Sequence, residues 1–257
     1  MPDWPPIRVF TRIDNAWPAV AVVKMTRPQR LTVIRPHVPH RHLSPCPHRR
    51  GSGVWKQVPH TSEPQPLDQV PSFVLGSNTV SPLGMAEAFA MFANRGEHCE
   101  SFAVEKVEDR NGETLVEREP ECNHVLDEDV ADMVNDVLEG VVSNEGATGS
   151  AMRLDDGRPA VGKTGTTNEN VAVWFVGYTP QISAAAAVAD LEAPQETLSG
   201  REFNGEVVPQ AFGGNLPGPM WREAMNEALE DEPEEDFPEP DDDDDDDNDG
   251  GEDEDDD

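Results

Sequence analysis

The chain has 257 residues, enough for one or two domains, and at 36% hydrophobic with a single Tyr it can build only a modest core. Its net charge of −33 is unevenly spread: residues 1–56 hold ten Arg and Lys against two Asp, residues 57–229 are net −20, and residues 230–257 hold 21 acids and no base. No run of 18 apolar residues exists, the run Ala19 to Val23 is too short, and the start lacks a signal-peptide layout, so the sequence encodes no membrane span.

Residues 1–69 are basic and rich in Pro and His, and a disordered or unrelated segment is expected there. Leu31–Ile34 is at most one short strand. His37, His40, His42, Cys46 and His48 fit no zinc spacing, so no metal is expected. Basic charge without aromatic interleaving gives no nucleic-acid signal either.

The character changes at Val70-Pro71-Ser72-Phe73-Val74-Leu75-Gly76. Ser81 is a helix N-cap with Pro82 at the first helical position. That helix should run to about Asn94, with Gly96 near its end and Ala86, Phe89, Ala90 and Ala93 as its buried stripe. Phe102–Val107 and Thr114–Val116 flank Asp109-Arg110-Asn111-Gly112, a hairpin signal. Cys99 and Cys122 bracket the hairpin. They form either a disulfide, in an oxidising compartment, or two unpaired thiols. Leu126, Val130, Met133, Val134, Val137, Leu138, Val141 and Val142 recur at helical spacing and predict a packed helix over 126–143.

Val161-Gly162-Lys163-Thr164-Gly165-Thr166-Thr167 reads as a strand with Lys, Thr and Gly on one rim. A Gly inside a strand often marks a close backbone approach. Such a rim suits an extended peptide or a carboxylate. Gly157–Thr164 also satisfies the P-loop pattern, but turn chemistry precedes it and a strand follows it, so no nucleotide is expected. Val171–Tyr178 and Ile182–Ala189 predict two further strands, and Pro217 or Pro219 starts a last helix burying Trp221 and Met225. From residue 230 onward a solvated acidic tail is expected.

This order resembles the C-terminal part of the transpeptidase domain of a class A penicillin-binding protein, of the actinobacterial kind. The resemblance rests on Val74-Leu75-Gly76-Ser77-Asn78, Val80-Ser81-Pro82-Leu83-Gly84-Met85-Ala86 and Phe92-Ala93-Asn94-Arg95-Gly96. It rests further on Val161 to Thr167, on Trp174-Phe175-Val176-Gly177-Tyr178-Thr179-Pro180, and on Gly213-Gly214 ahead of Pro219-Met220-Trp221. It covers residues 70–229, a domain-sized span. It implies an α+β fold, a partial penicillin-binding-protein transpeptidase or serine β-lactamase-like architecture with an antiparallel sheet packed with helices, between disordered termini.

The resemblance also implies a mechanism, in which a Lys-activated Ser attacks a D-alanyl-D-alanine bond of a peptidoglycan stem peptide and β-lactams are trapped as acyl-enzymes. Lys163 would then aid proton transfer, and Thr164 and Thr166 would hold the terminal carboxylate. Gly165 would admit the substrate backbone, and the Thr166 N–H would be half of the oxyanion hole. No cofactor is implied. The family works at the extracytoplasmic face of the plasma membrane; this chain shows no signal or anchor, which leaves the cytoplasm as the alternative.

The sequence departs from the family in having no Ser-x-x-Lys and no Ser-x-Asn, so a truncated, inactive transpeptidase is expected. The alternatives are a serine β-lactamase or D,D-carboxypeptidase relative with its Ser elsewhere, and a non-enzymatic interaction protein with an acidic tail. With the family's earlier strands not evident, the strand at 182–189 or its neighbour is expected to be an unpaired, aggregation-prone edge.

Overall fold

A computed structural model describes residues 70–76, 78–102 and 106–240, together with the backbone of two strands nearer the N-terminus, β1 (Trp17–Thr26) and β2 (Arg30–Ile34). After a 3₁₀ turn at Pro71–Leu75 come α1 (Pro82–Ala93), β3 (Glu97–Cys99), β4 (Lys106–Glu108), β5 (Thr114–Glu117) and β6 (Cys122–His124). Then follow α2 (Glu128–Ser143), β7 (Val161–Thr166), β8 (Ala172–Tyr178), β9 (Ile182–Ala189), β10 (Arg201–Phe203), β11 (Glu206–Val208) and α3 (Pro217–Ala228).

The main sheet is antiparallel, in the order β2-β1-β9-β8-β7. Two expectations are corrected here. The stretch read as disordered or unrelated supplies β1 in addition to β2, which falls on the Leu31–Ile34 run read as at most one short strand, and the strand at 182–189 is interior, paired with β8 on one side and β1 on the other. A continuous apolar run of four to eight residues is a pattern for a fully buried strand, and Ala19–Val23 is such a run. The His-rich stretch at 37–48 lies outside the described residues.

Helices cover both faces of the sheet. α1 starts where Ser81 Oγ accepts the N–H of Gly84 at 3.0 Å, and Ala86 and Ala90 bring it close to Val176 and Ala185. Ser183 Oγ donates to the Ala86 carbonyl at 2.8 Å, a hydrogen bond that ties α1 to β9. On the opposite face α3 packs Trp221 and Met225 against Phe175, Ala184 and Ala186. The alanine run of β9 is thus buried on both sides, where small side chains let helices approach from above and below.

α2 is held by polar contacts as well as by Ala131, Leu138 and Val142. Asp132 is buried and accepts from Arg95, whose Nε donates to Oδ1 at 3.3 Å and Oδ2 at 3.1 Å and whose Nη2 donates to Oδ2 at 2.7 Å. Buried Asn135 accepts from Tyr178 Oη at 2.5 Å and donates to the Phe92 carbonyl at 3.3 Å. Burial also raises the Tyr178 phenol well above its ordinary pKa, so it stays a neutral donor. The stripe expected to pack is only partly covered: Val130, Met133 and Val137 are exposed. Periodicity identifies apolar positions but not what covers them.

Residues 230–240 are not the solvated tail expected from residue 230 onward. Buried Arg158 donates to the carbonyls of Leu229, Glu232 and Pro233, at 3.2, 3.0 and 3.4 Å. Phe237 meets Tyr178 edge-on, with centroids 5.7 Å apart. Residues 230–240 therefore lie along the body, because Arg158 needs carbonyl partners and Phe237 finds an apolar site.

Candidate active-site rim

β7 is the terminal strand of the main sheet. Its first half is buried, and α2 packs beside it. Its second half opens to solvent: Lys163 and Thr166 are exposed, and Thr164 and Gly165 are half-buried. Alternation along the strand puts the Thr164 and Thr166 hydroxyls on one face and Lys163 on the other. The P-loop pattern falls on a turn and this edge strand, so no helix N-terminus faces it.

Lys163 Nζ donates to the Thr164 carbonyl at 2.8 Å, which keeps its charge on the rim without a carboxylate partner in that bond. Thr164 Oγ1 donates to Thr148 Oγ1 at 3.3 Å. Thr166 Oγ1 accepts the N–H of Gly213 at 3.3 Å. Gly165 pairs with Trp174 of β8, and a Cβ added at Gly165 would lie 3.2 Å from the Trp174 Cβ. The missing side chain leaves a shallow approach along the strand.

A second loop completes the rim. Gly213 crosses the sheet directly over Gly165: a Cβ there would fall 2.2 Å from the Trp174 carbonyl oxygen and 3.0 Å from the Gly165 nitrogen. Only glycine fits. Beside it, Phe212 is 45% exposed, its N–H held by Asn215 Oδ1 at 2.9 Å. Asn170, at φ 56°, donates through its side chain to the Ala211 carbonyl, and its own carbonyl accepts the Leu198 N–H at 2.9 Å. Glu169 just before it is also left-handed, at φ 60°. Two successive non-glycine residues in that region are uncommon, and such outliers concentrate at functional sites.

The structure brings Lys163, Thr164, Gly165 and Thr166 together on one strand end. Thr148, Phe212 and Gly213 join them from two other loops, and the sequence reading missed all three as site residues. The Gly213-Gly214 pair was the available signal, but it was read only as a helix lead-in. Cys99 and Cys122 sit away from the rim, joined by a disulfide between directly opposed residues of β3 and β6.

Asp190 pins the loop that follows β9. The Arg201 guanidinium, with the N–H groups of Ala193 and Glu192, holds the Asp190 carboxyl below its ordinary pKa. Its folded value lies below its unfolded value of about 3.9. Its contribution to stability is therefore present above that value and lost as pH falls through the folded pKa. Asp190→Asn should accordingly flatten the acid limb of the stability curve below about pH 4, and an unchanged acid limb in pH-dependent urea melts would refute this.

Comparison with known proteins agrees with this geometry. Residues 61–212 match the family described as the penicillin binding protein transpeptidase domain. The chain is 34% identical over 166 residues to penicillin-binding protein 1A of Aquifex aeolicus, covering 65% of this chain and 21% of that protein. It is 32% identical over 174 residues to penicillin-binding protein 1A of Mycolicibacterium smegmatis, covering 65% and 21%. Among solved structures, PonA1 of Mycobacterium tuberculosis in complex with penicillin V superposes with a TM-score of 0.57 at 29% identity, covering 66% of this chain and 43% of that one. The chain thus spans about a fifth of the length of the penicillin-binding proteins 1A it matches. The ordered set of α1, the Lys-Thr-Gly edge strand and the two strands beside it, together with the match over residues 61–212, shows that this chain belongs to the penicillin-binding protein transpeptidase domain family.

Proposed function

We propose that the chain supplies the Lys-Thr-Gly wall of a D,D-transpeptidase cleft and binds the carboxylate end of D-alanyl peptides and of β-lactams there. The observation that carries this reading is the open half of β7, where a cation and two hydroxyls flank a glycine on a terminal strand. Lys163 supplies the field for a carboxylate. Thr164 and Thr166 supply donors on the opposite side of the strand, and Gly165 gives the ligand backbone room to lie alongside. The Cys99–Cys122 disulfide, a bond that persists in oxidising surroundings, supports a working location on the extracytoplasmic side of the plasma membrane. Among the described residues no helix is long and apolar enough to cross a membrane.

Acylation needs a serine nucleophile, and the sequence holds neither Ser-x-x-Lys nor Ser-x-Asn. Fluorescent penicillin incubated with the chain should therefore leave no label after denaturation. Reversible binding should remain. Saturation-transfer NMR with benzylpenicillin, and with an N-acylated D-Ala-D-Ala dipeptide, should report contact. Lys163→Ala and Thr166→Val should each weaken it, with loss of a charge-assisted contact costing about 1.5–3 kcal/mol, roughly 10–100-fold. Binding indifferent to both substitutions would overturn the assignment of this rim. A label surviving denaturation would instead establish a working acyl-serine enzyme.

A further inference from the structure

The most conspicuous unassigned surface is the outer face of α2. Its inner face buries Ala131, Asp132, Asn135 and Val142. Its outer face shows Val130 at 37%, Met133 at 51% and Val137 at 71% exposure, spaced three and four residues apart on one stripe. A helix packed on one side needs an apolar arc of about 100°. Here the apolar residues continue well past the covered face, as on a helix with elements on two sides.

Charge narrows the choice of covering element. Asp129 and Asp136 line the stripe, and α2 contains five acidic residues and no Lys or Arg. A second copy of this chain would bring the same acids against these, on a molecule of net charge −33. The occupant should be basic with a few apolar anchors. Residues 35–56 have that chemistry: they hold five Arg and Lys, no Asp or Glu, and the anchors Leu43, Val54 and Trp55.

Reach permits it. Residue 34 ends β2, at the opposite side of the sheet from β7, where α2 packs. Four strand spacings of about 4.8 Å separate β2 from β7, roughly 19 Å. The 22 residues 35–56 span up to roughly 70 Å extended.

We infer that the outer face of α2 is a docking surface for residues 35–56 of this same chain, with the apolar anchors on Val130, Met133 and Val137 and the arginines beside Asp129 and Asp136. The site lies apart from the Lys-Thr-Gly rim and does not depend on its function. The test uses the full chain with p-benzoyl-phenylalanine in place of Val137, or of Met133 should the first variant fold poorly. A control carries the same group at Leu115, which is 63% exposed on the distal hairpin. After irradiation and proteolysis, mass spectrometry should find the crosslink within residues 35–56 of the same molecule, independent of protein concentration. The yield should fall several-fold in the Asp129→Lys, Asp136→Lys double variant and on raising NaCl from about 0.1 to 1 M, where the screening length drops from about 10 to 3 Å. A crosslink to a second copy, or a distribution no different from the Leu115 control, would overturn the proposal.

Discussion

Trp221→Ala should destabilise the protein by about 3–5 kcal/mol, the upper range for truncating a core aromatic. The indole is fully buried on the α3 face of the sheet, with its ring 4.9 Å from that of Phe175. Its Nε1–H donates at 3.1 Å to two carbonyls, those of Gly177 and Ala184, so one side chain bolts α3 to β8 and β9 together. The strand has made room for it. A Cβ at Gly177 would stand 2.8 Å from the indole Cζ2 and 2.5 Å from the Val161 carbonyl. Truncation leaves a cavity under a glycine that cannot fill it. For a domain of this size each kcal/mol moves the melting temperature by roughly 2–4 °C, so a fall of roughly 6–20 °C is expected. Urea unfolding followed by circular dichroism measures the free energy directly. A loss under about 1 kcal/mol would mean that α3 does not hold the sheet as described. Because β8 is the pairing partner of β7, the same variant should also broaden NMR signals from Lys163 to Thr166.

What the sequence made legible was local. The start of α1 announces itself through Ser81 and Pro82, the hairpin through Asn111-Gly112, and β7 through its Lys-Thr-Gly rim within a β-branched pattern. Each signal lies within a few residues of the feature it specifies. What stayed hidden was contact at a distance. Asp132 looks like one more surface acid of an acidic helix until Arg95, 37 residues earlier, closes on it. Asn135 is unremarkable until Tyr178, 43 residues later, supplies its hydroxyl. Arg158 finds its carbonyls more than 70 residues downstream, so composition alone wrongly placed residues 230–240 among the solvated acids. β1 was missed for another reason. Its neighbours are Pro and Arg, and their bulk composition outweighed a five-residue apolar run that a central strand position can use.

The site shows the same division. The residues on β7 were readable because one strand carries them. Thr148, Phe212 and Gly213 come from loops on either side of it, 15 residues before and some 50 after Lys163, and only the fold makes them neighbours. Gly213 is the sharpest case, since its identity is set by the backbone of Trp174 and Gly165 rather than by any turn of its own.

Removing the Cys99–Cys122 bridge is the other change with a large expected effect. The bond joins opposed residues of β3 and β6 and closes the arm that carries β4 and β5, with a sequence separation of 23. A loop of that length confines the unfolded chain by about 3 kcal/mol. Every residue of β4 and β5 is exposed, and among the described residues of the arm only Cys99 is buried, against Ala86 and Ala90 of α1, with Ser101 also bonded to Glu87 of that helix. Dithiothreitol should therefore lower the melting temperature by roughly 6–12 °C, and the double variant Cys99→Ser, Cys122→Ser should melt near the reduced protein and ignore the reductant. The remaining Cys46 gives an internal control, because reduction acts on the double variant only through that residue. Equal melting of the oxidised and reduced chains would show that α1 packing alone secures β3. In a reducing compartment the stabilisation vanishes, so the extracytoplasmic reading and the stability of this arm depend on the same bond.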